Sequence, residues 1–277
     1  MTGADLDEGF FDMTPPVRPL FARYVGIDYS GAETPAASLK GLRVFRAEAA
    51  DPPGEVHPPP GPRKYWTRRG LFEWLAAVLA EDRPTLVGID HGFSFPLRYF
   101  EVHHLPPDWP AFLDDFHAHW PTDKDHTYVD FVRDGFCGDG AARTGSARWR
   151  RLTEERAGSA KSVFHFDVPG SVAKSTHAGL PWLRRLRQTL GSRIHFWPFD
   201  GWDLPSGRSA VVEVYPALWR RTFARQGFSP DQQDAYAAAA WLQQADRGGS
   251  LAQYLQPALS PAERTVARVE GWILGVR

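Results

Sequence analysis

The carboxylates that invite a chemical reading close two identical tetrapeptides. Val25-Gly26-Ile27-Asp28 and Val87-Gly88-Ile89-Asp90 each end an apolar run. Turn-forming residues follow each Asp: Tyr29-Ser30-Gly31 after the first and His91-Gly92 after the second. Apolar, β-branched runs without alternation suit strands covered on both faces of a sheet. A carboxylate at the C-terminal end of a buried parallel strand stands where open α/β sheets place their sites. Neighbouring strands lie about 4.8 Å apart, so two carboxylates there repel each other unless a cation or a proton lies between them. The plainer reading is two unrelated strand ends, each Asp capping its own turn.

Further acids extend the candidate set. Glu213 sits in Ala210-Val211-Val212-Glu213-Val214-Tyr215, apolar on both sides. A lone buried carboxylate is costly, so Glu213 needs a cation or a hydrogen-bond partner, unless its strand is an edge and it faces solvent. Asp231 and Asp234 share a face at the start of a helix opened by Ser229-Pro230-Asp231-Gln232. The positive end of the helix dipole favours their ionised forms. Oxygen ligands of this kind hold Mg²⁺ or Mn²⁺. Two such ions ~3.5–4 Å apart activate a water and stabilise the leaving oxygen in phosphodiester cleavage. No Ser/His/Asp arrangement and no dinucleotide fingerprint competes with this reading.

The elements that must position these acids follow from the pattern. Strands are expected at 24–28, 39–48, 85–89, 194–199 and 210–215, with a Pro/Gly-rich loop over 51–62. Thr67 caps a helix over 68–81 whose stripe is Leu71, Trp74, Leu75, Val78 and Leu79. A helix between the two Asp strands is the crossover that makes them parallel. A second helix is expected at 181–190, and a third runs from Ser229 to Gly248-Gly249. Its small residues, Ala235 and 237–240, let it approach a sheet closely. Residues 1–20 read as a loose arm, 21–277 as one domain with an irregular insertion at about 100–180, and 269–276 as an apolar end docked in the core.

Two stretches of the insertion bear on partners. His117-x-His119, near Asp114, Asp115, Asp123 and Asp125, allows a metal pair on a strand, but the window is Pro-broken and reads better as a solvated lid. Arg148, Trp149, Arg150, Arg151, Lys161, Lys174, Arg184 and Arg185 combine cations with aromatic rings, which suits phosphate pairing and base stacking along nucleic acid. An ordinary charged helix face fits them equally, because Glu154 and Glu155 dilute the run. Gly170-Ser171-Val172-Ala173-Lys174-Ser175-Thr176 lacks the spacing of a phosphate loop.

Composition sets outer limits. A formal net charge of −1 over 277 residues means that any nucleic-acid site must be a local patch. One cysteine, Cys137, excludes an intramolecular disulfide and a zinc–cysteine site, and suits a reducing cytosol. No signal-like N-terminus and no membrane-length apolar run is seen, so a cytoplasmic protein without a membrane partner is expected.

Taken in order, these motifs resemble a known group. Val-Gly-Ile-Asp at 25–28, Ile89-Asp90 with Pro96, Glu213-Val214-Tyr215-Pro216, Asp231 with Asp234-Ala235, and Glu270-Gly271-Trp272-Ile273 look like domain-of-unknown-function family 429. That family comprises largely bacterial proteins predicted to be nucleases of the ribonuclease H-like superfamily. The resemblance implies an α/β fold with a five-stranded mixed sheet of order 3-2-1-4-5 and helices on both faces. It implies that Asp28 bridges two metals, that Asp90 and Asp234 each hold one, and that Asp231 or Glu213 completes the set. It also implies that the catalytic residues are Asp28, Asp90, Glu213 and Asp234. The third strand is not evident in the sequence, because the stretch after residue 48 is Pro-rich. Two other functions compete with a metal-dependent nuclease. One is a Mg-nucleotide-binding ATPase or kinase-like relative, which needs phosphate loops the chain does not clearly show. The other is a non-catalytic nucleic-acid-binding module of the same fold.

Overall fold

The computed structural model describes residues 18–277. The expected N-terminal arm lies almost wholly outside the described residues. One mixed sheet holds β1 (Arg23–Asp28), β2 (Arg43–Glu48), β3 (Gly54–Glu55), β4 (Thr85–Asp90), β5 (Ile194–Phe196) and β6 (Ser209–Glu213), in the order β3-β2-β1-β4-β6-β5. β1 and β4 are parallel, from Arg23 opposite Thr85 to Asp28 opposite Asp90. Between them runs α1 (Arg68–Ala80), whose N-cap Thr67 hydroxyl accepts the Gly70 N–H at 2.9 Å. Leu71, Leu75, Val78 and Leu79 form its buried stripe.

The sheet departs from the expected five strands in two places. β6, not β5, lies beside β4, and β5 takes the outer edge. The difference is length: both strands are buried throughout, but β6 offers five residues, enough to pair on both sides, whereas β5 offers three to one neighbour. At the other edge, the stretch after residue 48 does form a strand, but only Gly54 and Glu55 pair with β2. Pro52 and Pro53 precede it and have no N–H for a ladder.

The insertion combines short helices with long irregular connections. It carries α2 (Leu97–Val102), α3 (Trp109–His119), α4 (Val129–Arg133), α5 (Leu152–Ala157) and α6 (Ala173–Leu190). Helix α6 starts at Ala173, not at Pro181, so that proline lies inside it. Proline leaves the carbonyl four residues back without its helical donor. Here that carbonyl belongs to His177, and the Thr122 hydroxyl donates to it at 2.8 Å.

Strand residues alternate between two covered faces. Val25, Ile27, Val87, Ile89 and Val211 pack with residues of α1 and α6. Tyr24, Leu86, Ala210 and Val212 pack with α7 (Pro230–Arg247). Two helices follow, α8 (Leu251–Leu255) and α9 (Pro261–Glu270). Helix α7 lies close on the sheet, as its alanines foretold. A Cβ on Gly26 would stand 2.3 Å from Ala235 O and 2.4 Å from Ala239 N. At the far end of α7, Asp246 accepts from the N–H groups of Leu20 and Phe21, each at 2.9 Å, and from the Tyr24 hydroxyl at 2.8 Å. The C-terminal stretch docks in the core. Trp272 and Leu274 are fully buried, and Ile273 bridges to Glu213. Among the described residues no helix is long and apolar enough to cross a membrane.

Candidate functional site

Gly26 and Gly88 face α7, so Asp28 and Asp90, two residues further along, share that face. Antiparallel pairing of β2 puts Arg43 opposite Asp28. Arg43, Asp28 and Asp90 therefore form a row across three adjacent strand ends. Asp231 and Asp234 enter from the N-terminal end of α7, whose capping box forms as the sequence indicates. There the Ser229 hydroxyl accepts from the Gln232 N–H, and Gln232 reaches back to the Ser229 N–H. A Cβ on Gly41 would lie 3.7 Å from Asp231 Oδ2 and 3.8 Å from Ser30 Oγ, so Asp231 overhangs the turn after β1.

This acid cleft is under electrostatic strain. Burial, then the charges of Asp90, Asp231 and Asp234, push the Asp28 carboxyl well above the ordinary range, against a smaller opposing pull from Arg43. Burial, then Asp234 and Glu213, push Asp90 up in the same way, and Arg220 opposes. Neither carboxylate has a hydrogen-bond donor among the described residues. Burial also raises Asp234, partly offset by Arg220, whose Nη1 lies 3.0 Å from Oδ2. Arg43 is committed to Glu55 at 2.9 Å.

Glu213 stands elsewhere. It pairs with Ile89, whose side chain packs with α1 and α6, so its own side chain leaves the sheet on the opposite face from the acid row. It nevertheless lines one small cavity with Asp90, and its charge reaches that carboxyl. Arg151 grips it with two bonds, Nη2 to Oε1 at 2.6 Å and Nη1 to Oε2 at 2.7 Å, and the Phe93 N–H donates to Oε2 at 3.0 Å. Arg151 Nε also donates to Glu154 Oε1 at 2.8 Å. This is the cation that a buried Glu213 required. Burial alone would lower the Arg151 guanidinium, but the Glu213 and Glu154 charges override it and hold it above its ordinary value. Expected as part of an exposed basic stretch, Arg151 is 1% exposed and internal, because two buried acids consume its charge.

The other cations of that stretch are dispersed. Arg150 donates to the carbonyls of Glu154, Gly158 and Ala160, and Lys161 to that of Pro169. Lys174 pairs with Asp130 at 2.8 Å and Arg184 with Asp114 at 2.6 Å. Arg185 lies over the rings of Phe72 and Trp182. Arg148 is exposed, and Trp149 is half-buried against Phe164. His117 and His119 lie on α3, not on a strand. Two residues apart on a helix they diverge, and His117 Nε2 bonds Asp123 Oδ1 at 2.9 Å.

Sequence reasoning missed three groups. Arg220, 14 positions before its partner Asp234, carries no periodic or motif signal. The Arg151–Glu213 pair joins residues 62 apart. Tyr29 and His91, directly after the two aspartates, turn inward with ring centroids 4.7 Å apart. Burial lowers the His91 imidazole to about 4, so the ring is neutral near pH 7.

In kind, the acid cleft suits a divalent cation. Its donors are hard oxygens, and its two central carboxylates are half-buried neighbouring acids with no internal donor. Among the described residues, no group of three or more His, Cys, Asp or Glu side chains stands in metal-holding geometry. No family model matches the chain. Neither a curated protein nor a solved structure matches it significantly.

Proposed function

We propose that the protein is a divalent-metal-dependent hydrolase of nucleic-acid phosphodiester bonds, with a ribonuclease H-like sheet. The observation that carries this reading is the in-register pairing of Asp28 with Asp90 in a cleft that also receives Asp231 and Asp234 and gives the central pair no donor. Support for the fold comes from strand order. With the three-residue edge strand β5 set aside, the order reads 3-2-1-4 followed by the Glu213 strand.

In this reading Asp28, Asp90 and Asp234, drawn closer together by the cation, would hold Mg²⁺ or Mn²⁺, and Asp231 would complete the set. The bound cation supplies charge neutralisation and water activation. Asp28 is the central carboxylate, since it feels Asp90, Asp231 and Asp234 together. Arg220 occupies Asp234 and borders the cleft, where a phosphate backbone would meet it. Glu213 acts from behind, by fixing through Arg151 the end of the strand beside β4. Arg148 and Trp149 are the members of the basic stretch best placed to meet nucleic acid, because the other cations are held within the protein, Arg185 by Asp123 at 3.7 Å.

Calorimetry with Mn²⁺ on wild type, Asp28→Asn and Asp234→Asn tests the reading, followed by a cleavage screen over single strands, duplexes and branched substrates. Binding that both changes abolish, with metal-dependent cleavage, is the expected result. No binding at millimolar Mn²⁺, or equal binding by the variants, overturns it.

A further inference from the structure

On its β2 side the acid cleft borders a basic rim formed by two loops, residues 38–43 and 57–66. The loops are tied together. The Tyr65 N–H donates to Ser38 Oγ at 3.0 Å, and the Leu39 N–H to the Trp66 carbonyl at 2.9 Å. Trp66 is buried and its indole N–H donates to the Val56 carbonyl at 2.8 Å, which pins the second loop at its base. Pro58, Pro59, Pro60 and Pro62 stiffen the rest of that loop, since each fixes φ. Lys40, Arg63 and Lys64 stand exposed on this frame without a carboxylate partner among the described residues, whereas Arg43 pairs with Glu55 at 2.9 Å.

Tyr65 gathers these charges. Its ring has the Arg43 guanidinium 4.7 Å and the Lys64 ammonium 5.3 Å from its centre. Arg43 Nε donates to the Lys40 carbonyl at 2.7 Å. Arg43 also joins the rim to the acid row, because it stands opposite Asp28 on the neighbouring strand. The turn at Gly41 makes a second junction, where a Cβ would lie 3.7 Å from Asp231 Oδ2. Residues 30–43 and 54–66 carry Lys40, Arg43, Arg63 and Lys64 against Glu33 and Glu55, in a chain whose net charge is −1.

Cations beside a carboxylate cluster suit a particular ligand. A phosphodiester strand that approaches Asp28, Asp90 and Asp231 meets like charge, and exposed cations along its approach supply the counter-charge. Among the described residues, none of the exposed large apolar side chains lies on this rim, so it lacks the anchors of a lipid-binding surface. Tyr65 is half-buried and already engaged by two cations, so the rim offers charge rather than a free stacking face. Contacts of that kind hold phosphates and carry no sequence information.

We propose that the rim of Lys40, Arg63 and Lys64, braced by Arg43 and Tyr65, binds the phosphate backbone of a nucleic-acid strand alongside the acid cleft. The inference rests on the phosphodiester reading for what the cleft does, but the binding it assigns needs no metal.

The test is fluorescence anisotropy with a labelled single-stranded oligonucleotide of mixed sequence, in EDTA, over a series of salt concentrations. Three phosphate contacts at ~0.7 each give log affinity against log salt a slope of about −2. Lys40→Gln with Lys64→Gln removes two contacts. The slope is then expected to flatten to about −0.7, and affinity at low salt to fall about tenfold or more. Lys40→Arg with Lys64→Arg keeps the charge and is expected to keep both values. Mn²⁺ calorimetry on the wild type separates this inference from the reading beneath it. Rim-dependent oligonucleotide binding without Mn²⁺ binding would sink the metal reading and leave the rim standing. Mn²⁺ binding, with oligonucleotide affinity and slope unchanged in the Gln variant, would overturn the rim alone. No oligonucleotide binding by the wild type at low salt, or equal affinity for poly-glutamate, overturns it as well.

Discussion

Replacing Arg151 by Met removes the internal cation and leaves its partners in place. The guanidinium makes two bonds to Glu213, one to Glu154 and a longer one of 3.3 Å to the Glu270 carbonyl. Met fills much of the volume but leaves Glu154 and Glu213, 1% and 3% exposed, as buried carboxylates without a counter-charge. Truncating one partner of such a pair costs about 3–5 kcal/mol. Tenfold per 1.4 kcal/mol makes that a loss of roughly 10²–10⁴ in the folding constant. Urea unfolding at neutral pH measures it. The pH dependence has a definite sign. Glu154 is already raised by burial against the opposing pull of Arg151. Without that cation its carboxyl rises further above its unfolded value, so the folded variant binds an extra proton. Its stability is kept below the unfolded carboxylate range and lost as pH rises through the raised value. The deficit against wild type is therefore larger at pH 7 than near pH 5. A loss below about 1 kcal/mol, the scale of an exposed pair, or a deficit that does not shrink on acidification, would refute the buried-pair account.

Three other outcomes are expected. Asp28 and Asp90 are both raised by burial and by neighbouring carboxylates, so without divalent cations the melting temperature falls as pH rises from about 5 to about 8. Asp28→Asn flattens that slope, and an unchanged slope in the variant would count against the strained pair. Arg220→Ala uncovers Asp234 and tightens Mn²⁺ binding about twofold to fivefold, since a half-exposed pair contributes up to ~1 kcal/mol; calorimetry showing weaker binding would remove Arg220 as a competitor for the cation. Gly26→Ala forces a methyl against the α7 backbone and costs about 1–3 kcal/mol or more in thermal unfolding. Gly54→Ala, with nothing within 4 Å of the new carbon, serves as the neutral control.

The central half of this architecture was legible because its signals are local. The duplicated Val-Gly-Ile-Asp strands, the Thr67-capped helix between them and the Ser229 capping box each show in a few adjacent residues, and all form. The alanines of α7 announced a close approach, which Gly26 meets. What escaped depends on partners far apart in sequence. Whether β5 or β6 lies beside β4 turns on which pairs on both sides, which two apolar runs do not declare alone. Pro181 marks a helix start in most sequences, and only the Thr122 hydroxyl, from another part of the chain, makes it tolerable inside α6. The charges of 148–187 looked collective, yet their partners, Asp114, Asp130 and Glu213, come from separate elements.

The clamp between Asp246 and the chain ahead of β1 also bears on synthesis. Its bond to Leu20 spans 226 positions. β1, β2 and β4, with both central aspartates, leave the ribosome long before α7 exists. Until then the sheet face that carries Gly26 and Gly88 has no cover, and the aspartates lack Asp231 and Asp234. Pairings of such long sequence separation form late and leave apolar surface open to aggregation meanwhile. A chain interrupted before α7 would carry the signature tetrapeptides and none of the finished cleft. Completion of the cleft therefore requires that α7 has been made, and the Asp246 clamp then joins its far end to the chain ahead of β1.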